Sequence, residues 1–392
     1  MKEMIEKAEK HLLHTYNRYQ IVLDHGEGVY LYDTDGKKYL DFGSGIGVCA
    51  LGYGDEELCD AIKNQVDKLL HTSNLFYTEP LVNAATKLCE ITGMDRVFMT
   101  NSGTEAIEGA LKLARKYAVK KGYHNRTEIV SMNKAFHGRS MGALSVTGTE
   151  KYRSPFEPLI SGVTFATYND LESVKAAVSD KTCAIIMETL QGEGGIYKAD
   201  SEFIKGVRQL CDEHDMIMIC DEIQCGMGRT GTFFAYEQYG IKPDVVTMAK
   251  GIGSGVPVGA FAMNEKAMIG LEAGDHGTTF GGNPLVMTAV SKTIDIFRNR
   301  NIVDHVKVVG AYLSDQLDQL MARKDVIVDH RGNGLMQGIE CKEAVASYIG
   351  KAMEQGVILM SAGANVIRIL PPLVIEKEHV DELIRVLDEI LE

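Results

Sequence analysis

Between residues 95 and 285 the chain repeats one pattern, a short and almost wholly apolar run followed by a helix or a glycine-rich turn. The runs are "RVFMT" (96–100), "EIVSM" (128–132), "TCAIIME" (182–188), "MIMICD" (216–221) and "DVVTMA" (244–249). Strands that are apolar at every position, not at alternate ones, are buried on both faces. Such strands belong to largely parallel sheets covered by helices. Apolar residues at helical spacing fall near 55–70 (Leu58, Ala61, Ile62, Val66, Leu69) and 104–120 (Ile107, Ala110, Leu111, Ala114, Ala118). Further helices are expected near 201–214, 284–299, 304–322, 344–355 and 377–391. The charged N-terminus, "MKEMIEKAEKHLLHTYNRY", reads as an amphipathic helix and not as a signal peptide.

After about residue 285 two long helices give way to short strands ("VIVDH", "LMQGIE", "VIRIL"), and "GEGVYLYDTDGKKYLDF" (26–42) reads as a hairpin turning at Asp35-Gly36. The expected organisation is an α/β chain with a large domain over 51–285. An N-terminal segment (1–50) and a C-terminal piece (286–392) join as a smaller α+β domain. A chain of 392 residues is long enough for that division.

The balance of 54 acidic against 41 basic residues gives −13, which argues against a nucleic-acid partner. Small anions remain possible ligands, because a few arginines or a helix N-terminus can hold them. Eight cysteines contain no CxxC pair and no zinc spacing, so reduced thiols in a cytoplasmic protein are expected, with no metal. No apolar run has the length of a membrane span.

"MIMICDEIQCGMGRTG" (216–231) breaks from a buried strand into Asp221, Glu222 and Gln224. A carboxylate at the edge of an apolar interior needs a partner or shifts towards neutrality. Ligands of open α/β sheets collect at the carboxyl ends of strands, where Asp221 falls. "FMTNSGTEAIEGALKLA" runs strand, turn, helix, and Asn101 to Thr104 would offer N–H groups and hydroxyls to an anion. Alone, that motif is no more than a helix N-cap. "DVVTMAKGIGSGVPVG" ends a strand on Lys250, whose amine burial would make nucleophilic. Taken singly, a lysine there is more often a surface residue with its stem buried.

Two other motifs compete. "GIGVCA" (45–50) fits the dinucleotide fingerprint, but the acid about 20 residues on, Asp67, lies in a helical pattern. "GRSMG" (138–142) fits G-x-S-x-G and offers Ser140 as the nucleophile of a serine hydrolase. Against it, "NKAFH" separates that serine from its strand. A carboxylate, a lysine and a phosphate cup at strand ends of one sheet are what pyridoxal phosphate requires. The lysine meets its aldehyde, the acid keeps its ring nitrogen protonated, and the cup holds its phosphate.

At this point the chain resembles the class III aminotransferases of fold type I. It does so through "TSNLFYTEP" (72–80), "NSGTEA", "AFHGRS" (135–140), "QGEGG", "DEIQCGMGRTG", the lysine of "AKG", "HGTTFGGNPL" (276–285) and "IRILPPL" (367–373). Within the family it is most similar to the acetylornithine aminotransferases. The resemblance implies a mostly parallel central sheet and pyridoxal 5'-phosphate as cofactor, bound covalently to Lys250. Asp221 would pair with the ring nitrogen and Gln224 with the phenolic oxygen, Phe136 and Ile223 would cover the two ring faces, and Ser102, Gly103 and Thr104 would hold the phosphate. It also implies a homodimer in which Thr279 reaches the neighbouring subunit's phosphate and Thr278 lies near substrate.

Arg139 would take the α-carboxylate of an amino-acid donor and Arg368 the carboxylate of 2-oxoglutarate or glutamate. Glu193 would pair with Arg368 when a donor brings a distal amine. N2-acetylornithine is the implied donor, with succinylornithine, ornithine or 4-aminobutyrate as alternatives. Thr189, Ile223 and Ser254 depart from the family's commoner proline, valine and glycine.

Overall fold

The computed structural model describes residues 1–392. Its centre is a seven-stranded sheet in the order Arg96–Thr100, Gly259–Met263, Val245–Ala249, Ile217–Asp221, Thr182–Glu188, Glu128–Met132, Val163–Ala166. Six of these strands run in one direction. Gly259–Met263 alone is antiparallel to both neighbours. The reversal follows from chain length: only the short segment after Lys250 separates it from Val245–Ala249, and a parallel return needs a crossover of a dozen residues or so. Every residue of the four central strands, from Thr182–Glu188 to Gly259–Met263, is buried, as uniform apolarity requires.

The strands expected from the apolar runs and the helices expected from the spacing form within a few residues of their expected ends, including Gly103–Lys120, Ser201–Glu213, Pro284–Asn299 and Lys377–Ile390. Three elements carry a weaker sequence signal. Gly259–Met263 is written in small residues inside a glycine-rich stretch, and Val163–Ala166 is an edge strand of four residues. The helix Glu79–Thr92 starts on Pro80 in its first turn and stops at Gly93, which is left-handed at φ 64°.

At the N-terminus, Leu23–Glu27, Tyr30–Asp33 and Lys38–Asp41 form a meander whose fourth strand, Val357–Ile358, comes from the other end of the chain and pairs in parallel with Lys38–Asp41. A second four-stranded sheet, in the order Ile327–Asn333, Met336–Cys341, Val366–Ile369, Met360–Ala362, carries Arg368. The "GIGVCA" stretch is a left-handed turn, with φ 42°, 62°, 68° and 78° at Ser44 to Gly47. No right-handed helix opens on it, which agrees with setting the dinucleotide fingerprint aside. No helix is long and apolar enough to cross a membrane.

The Gly103–Lys120 helix lies against Gly259–Met263 so closely that a Cβ on Gly109 would sit 2.2 Å from Phe261 Cε1. Gly109→Ala should therefore lower stability by about 1–3 kcal/mol through overpacking, despite the better helix propensity of alanine. Urea unfolding midpoints of the two proteins test this, and an unchanged or higher midpoint would show that the helix can lift away.

Candidate active site

Thr182–Glu188, Ile217–Asp221 and Val245–Ala249 end together on a cavity of about 490 Å³. Asp221 and Glu188 are register partners at the ends of adjacent parallel strands, and both line it. Lys250 follows the last residue of Val245–Ala249 and takes φ 47°, a left-handed conformation that a non-glycine residue adopts only under constraint. Enclosure by protein lowers its pKa, while the nearby Asp221 acts in the opposite sense.

Asp221 is only 4% exposed, and both of its oxygens accept hydrogen bonds. Its Oδ1 accepts from the Ile223 N–H (3.0 Å) and the Thr247 hydroxyl (3.2 Å), and its Oδ2 accepts from His137 Nδ1 at 2.7 Å. His137 Nε2 is buried without any partner, so the proton on Nδ1 is the one the carboxylate fixes. Sequence reasoning passed over His137, although it stands inside "AFHGRS" next to Phe136.

The Gly103–Lys120 helix opens on the same cavity. Ser102 caps it by accepting from the Glu105 N–H, and Asn101 donates to Glu105 Oε2 through both its backbone and its side-chain nitrogen, at 2.9 Å each. The first amides of the helix have no acceptor within it, and Ser102, Gly103 and Thr104 line the cavity. Glycine is required nearby, since a Cβ on Gly259 would lie 2.1 Å from the Ser102 carbonyl oxygen.

Phe136, Ile223, Gln224, Arg139 and Glu193 line the cavity as well. Arg139 is exposed at its edge, with its guanidinium 4.0 Å from the Tyr152 ring centre. Buried Arg368 donates through Nη1 to Glu193 Oε1 at 2.5 Å and to Gln224 Oε1 at 3.3 Å, and its Nε has no partner. Thr278 and Thr279 lie outside the cavity wall. Thr278 Oγ1 accepts from Asn101 Nδ2 at 3.2 Å, whereas Thr279 is exposed.

Ser140 is not poised as a nucleophile. Its Oγ donates to Glu108 Oε1 and shares a hydrogen bond with Thr104 Oγ1, both at 2.6 Å, while His137 is turned to Asp221. A serine held by a carboxylate and a hydroxyl, with no imidazole on it, lacks the base a hydrolase needs.

Glu222, without an assigned role in the sequence, points away from the cavity. It accepts from the Thr189 hydroxyl (2.5 Å) and the Ala235 (2.8 Å) and Tyr236 (3.1 Å) amides. Burial pushes its pKa up to about 7 against those donors. Thr189 thus replaces a proline with a hydroxyl that is used, and Ser254 does the same in accepting from the Leu51 N–H at 2.9 Å.

An enclosed amine, a fixed carboxylate and a helix N-terminus around one cavity are a donor set that pyridoxal phosphate fits. Comparison with known proteins agrees. Residues 13–391 match the family described as aminotransferase class-III. The acetylornithine aminotransferase of Methanocaldococcus jannaschii is 46% identical over 98% of this chain and 97% of its own. A solved ornithine aminotransferase of Toxoplasma gondii, with pyridoxal phosphate at partial occupancy in its active site, superposes with TM-score 0.95 at 28% identity over 100% of this chain and 94% of that one. The N-acetylornithine aminotransferase of Stenotrophomonas maltophilia does so with TM-score 0.85 at 32% identity, over 98% of each chain.

The raised pKa of Glu222 has a sign that can be checked. The folded protein keeps the proton up to about 7, whereas the unfolded chain releases it near the ordinary 4.5. Glu222 therefore contributes stability at low pH that is lost as pH rises through about 7. Glu222→Gln removes this contribution and strands part of the donor set, so the variant is destabilised at every pH. Its deficit in denaturant unfolding should be larger near pH 5.5 than near pH 8.5; equal deficits would refute the assignment.

Proposed function

Because the chain belongs to the class-III aminotransferases, enzymes that work with pyridoxal phosphate, we propose that it transfers the terminal amino group of N2-acetylornithine to 2-oxoglutarate. The observation that carries the proposal is the convergence of Lys250, Asp221 and the Ser102–Thr104 turn on one cavity, in a chain 46% identical to a named acetylornithine aminotransferase.

Ser102, Gly103 and Thr104 would hold the cofactor phosphate, with Phe136 and Ile223 on the ring faces and Gln224 at the ring oxygen. When bound, the cofactor supplies an aldehyde to receive an amino group and an electron-withdrawing ring to stabilise the carbon that loses a proton. Lys250 Nζ would hold the cofactor and then, once a substrate amine displaces it, move a proton to and from the reacting carbon. Its enclosure suits that role, because a lowered pKa keeps a share of the amine neutral. Asp221 would keep the ring nitrogen protonated, its geometry fixed by His137 and Thr247.

Arg139 at the cavity edge would take the donor's α-carboxylate. Arg368 would take the carboxylate of 2-oxoglutarate or glutamate once Glu193 leaves it, and remain covered by Glu193 when the donor brings a terminal amine. Two planar guanidinium forks suit two carboxylates.

The same reading makes the enzyme a homodimer. Thr279 is exposed and cannot serve its own cavity, so it would complete the phosphate site of a partner. Its segment and an earlier one in the chain both carry exposed apolar side chains: Phe280 is 62% and Tyr77 96% exposed, and Asn74 ties the two segments together by donating to the Gly281 carbonyl at 2.8 Å. A cytoplasmic location belongs to the proposal too, supported by eight cysteines that are all free.

Lys250→Ala should reduce turnover by more than about 10³-fold and remove the borohydride-trappable link between protein and cofactor. Near-normal activity in that variant would overturn the site. A donor panel with 2-oxoglutarate, read as glutamate formed, should give the highest kcat/KM for N2-acetylornithine; an equal or higher value for succinylornithine, ornithine or 4-aminobutyrate would move the substrate assignment. Sedimentation should show a dimer, and a fully active monomer would end the shared-site reading.

A further inference from the structure

Two carboxylates stand side by side at the carboxyl edge of the sheet, Asp221 and its register partner Glu188. Asp221 has its own ring of donors, whereas Glu188 has a different pair. Its Oε1 accepts from the Gly192 N–H and its Oε2 from the Phe136 N–H, each at 3.1 Å. Those amides belong to separate loops. Phe136 heads the turn that carries His137 and Arg139, and Gly192 immediately precedes Glu193, which is paired with Arg368. One buried side chain, 6% exposed, therefore spans both loops with one oxygen on each.

The titratable groups around it are His137, Asp221, Lys250, Tyr168 and Cys225. Burial pushes its pKa up to about 7; Asp221 adds to the rise, and His137 and the two amides oppose it. The two forms differ as acceptors. An ionised carboxylate offers lone pairs to both amides, while a neutral carboxyl keeps one good acceptor and turns an O–H towards the other N–H.

We propose that Glu188 is a positioning residue that ties the Phe136 loop to the Glu193 loop, holding both when ionised and only one when neutral, and so sets how firmly Glu193 covers Arg368. The proposal rests on the reading of Arg368 as the arginine freed for dicarboxylates. A looser Glu193 loop uncovers Arg368 and favours glutamate over a donor with a terminal amine.

Amide hydrogen exchange of the holoenzyme, corrected for intrinsic rates, tests the tie without reference to turnover. In the wild type, peptides covering 133–140 and 189–195 should together lose protection by about tenfold at Phe136 or Gly192 between about pH 8.5 and pH 6. In Glu188→Gln one of the two amides should be unprotected at both pH values, with no pH dependence left. The ratio of kcat/KM for N2-acetylornithine to that for glutamate should fall several-fold in the variant, and in the wild type below about pH 7. Unchanged protection at both amides, in wild type across pH and in the variant, overturns the proposal. If protection changes as stated but neither protein uses N2-acetylornithine, the tie stands and the substrate reading falls.

Discussion

A carboxylate at the end of a strand buried on both faces is the constraint from which the site follows. Asp221 is continuous with Ile217–Cys220, so its position is set by the central sheet and not by a loop. A charge there must be compensated, and protein supplies part of the compensation: an amide from the turn that follows, a hydroxyl from the neighbouring strand and an imidazole from the next loop. Each partner comes from a different element. The sheet, the turn and the 133–140 loop are thereby fixed relative to one another around a single group.

The alternation of strand side chains divides the two acids of "DEIQ" between two tasks. Successive residues at a strand end point to opposite faces, so Asp221 faces the cavity while Glu222 faces the protein behind it. There Glu222 gathers the Thr189 hydroxyl and the amides of Ala235 and Tyr236, pinning the start of the turn from the side away from the cavity. Glu222 thus holds in place the backbone on which Asp221 stands. Glu188, one strand over, shares the direction of Asp221 because parallel register partners share a face.

The central sheet was legible because burial on both faces writes itself as unbroken apolar runs. Gly259–Met263 was not, because its close approach to the Ser102 turn demands glycine and alanine, which carry no strand signal. Among site residues, those at strand ends and at the helix start could be placed from local pattern. The pairing of Arg368 with Glu193 was expected from the family resemblance alone and not from local pattern, because the two residues are 175 positions apart. His137 and Glu188 stood inside motifs already singled out. Their roles depend on which way a side chain turns from a loop or an edge, which no one-dimensional pattern specifies. Ser140 shows the converse: its pattern fits a nucleophile, but Glu108 on the adjacent helix takes its hydroxyl.

In the proposed function, the Glu193–Arg368 pair would let one site accept two charge patterns. Arg368 is buried on its strand, and a buried guanidinium that loses its only carboxylate is left uncompensated at a cost of several kcal/mol. Glu193 can therefore leave only when another carboxylate arrives, and a dicarboxylate brings one. A donor with a terminal amine brings none at that end, so on this reading the resident pair would stay closed and present a neutral surface in place of a bare cation. Glu193 sits in a glycine-rich loop and is half-buried, while Arg368 is fixed in a sheet, so the glutamate is the partner able to move. Alternation between the two proposed substrates would then need no rearrangement of the core. It needs one loop whose attachment is firm enough to close without ligand and weak enough to yield to one.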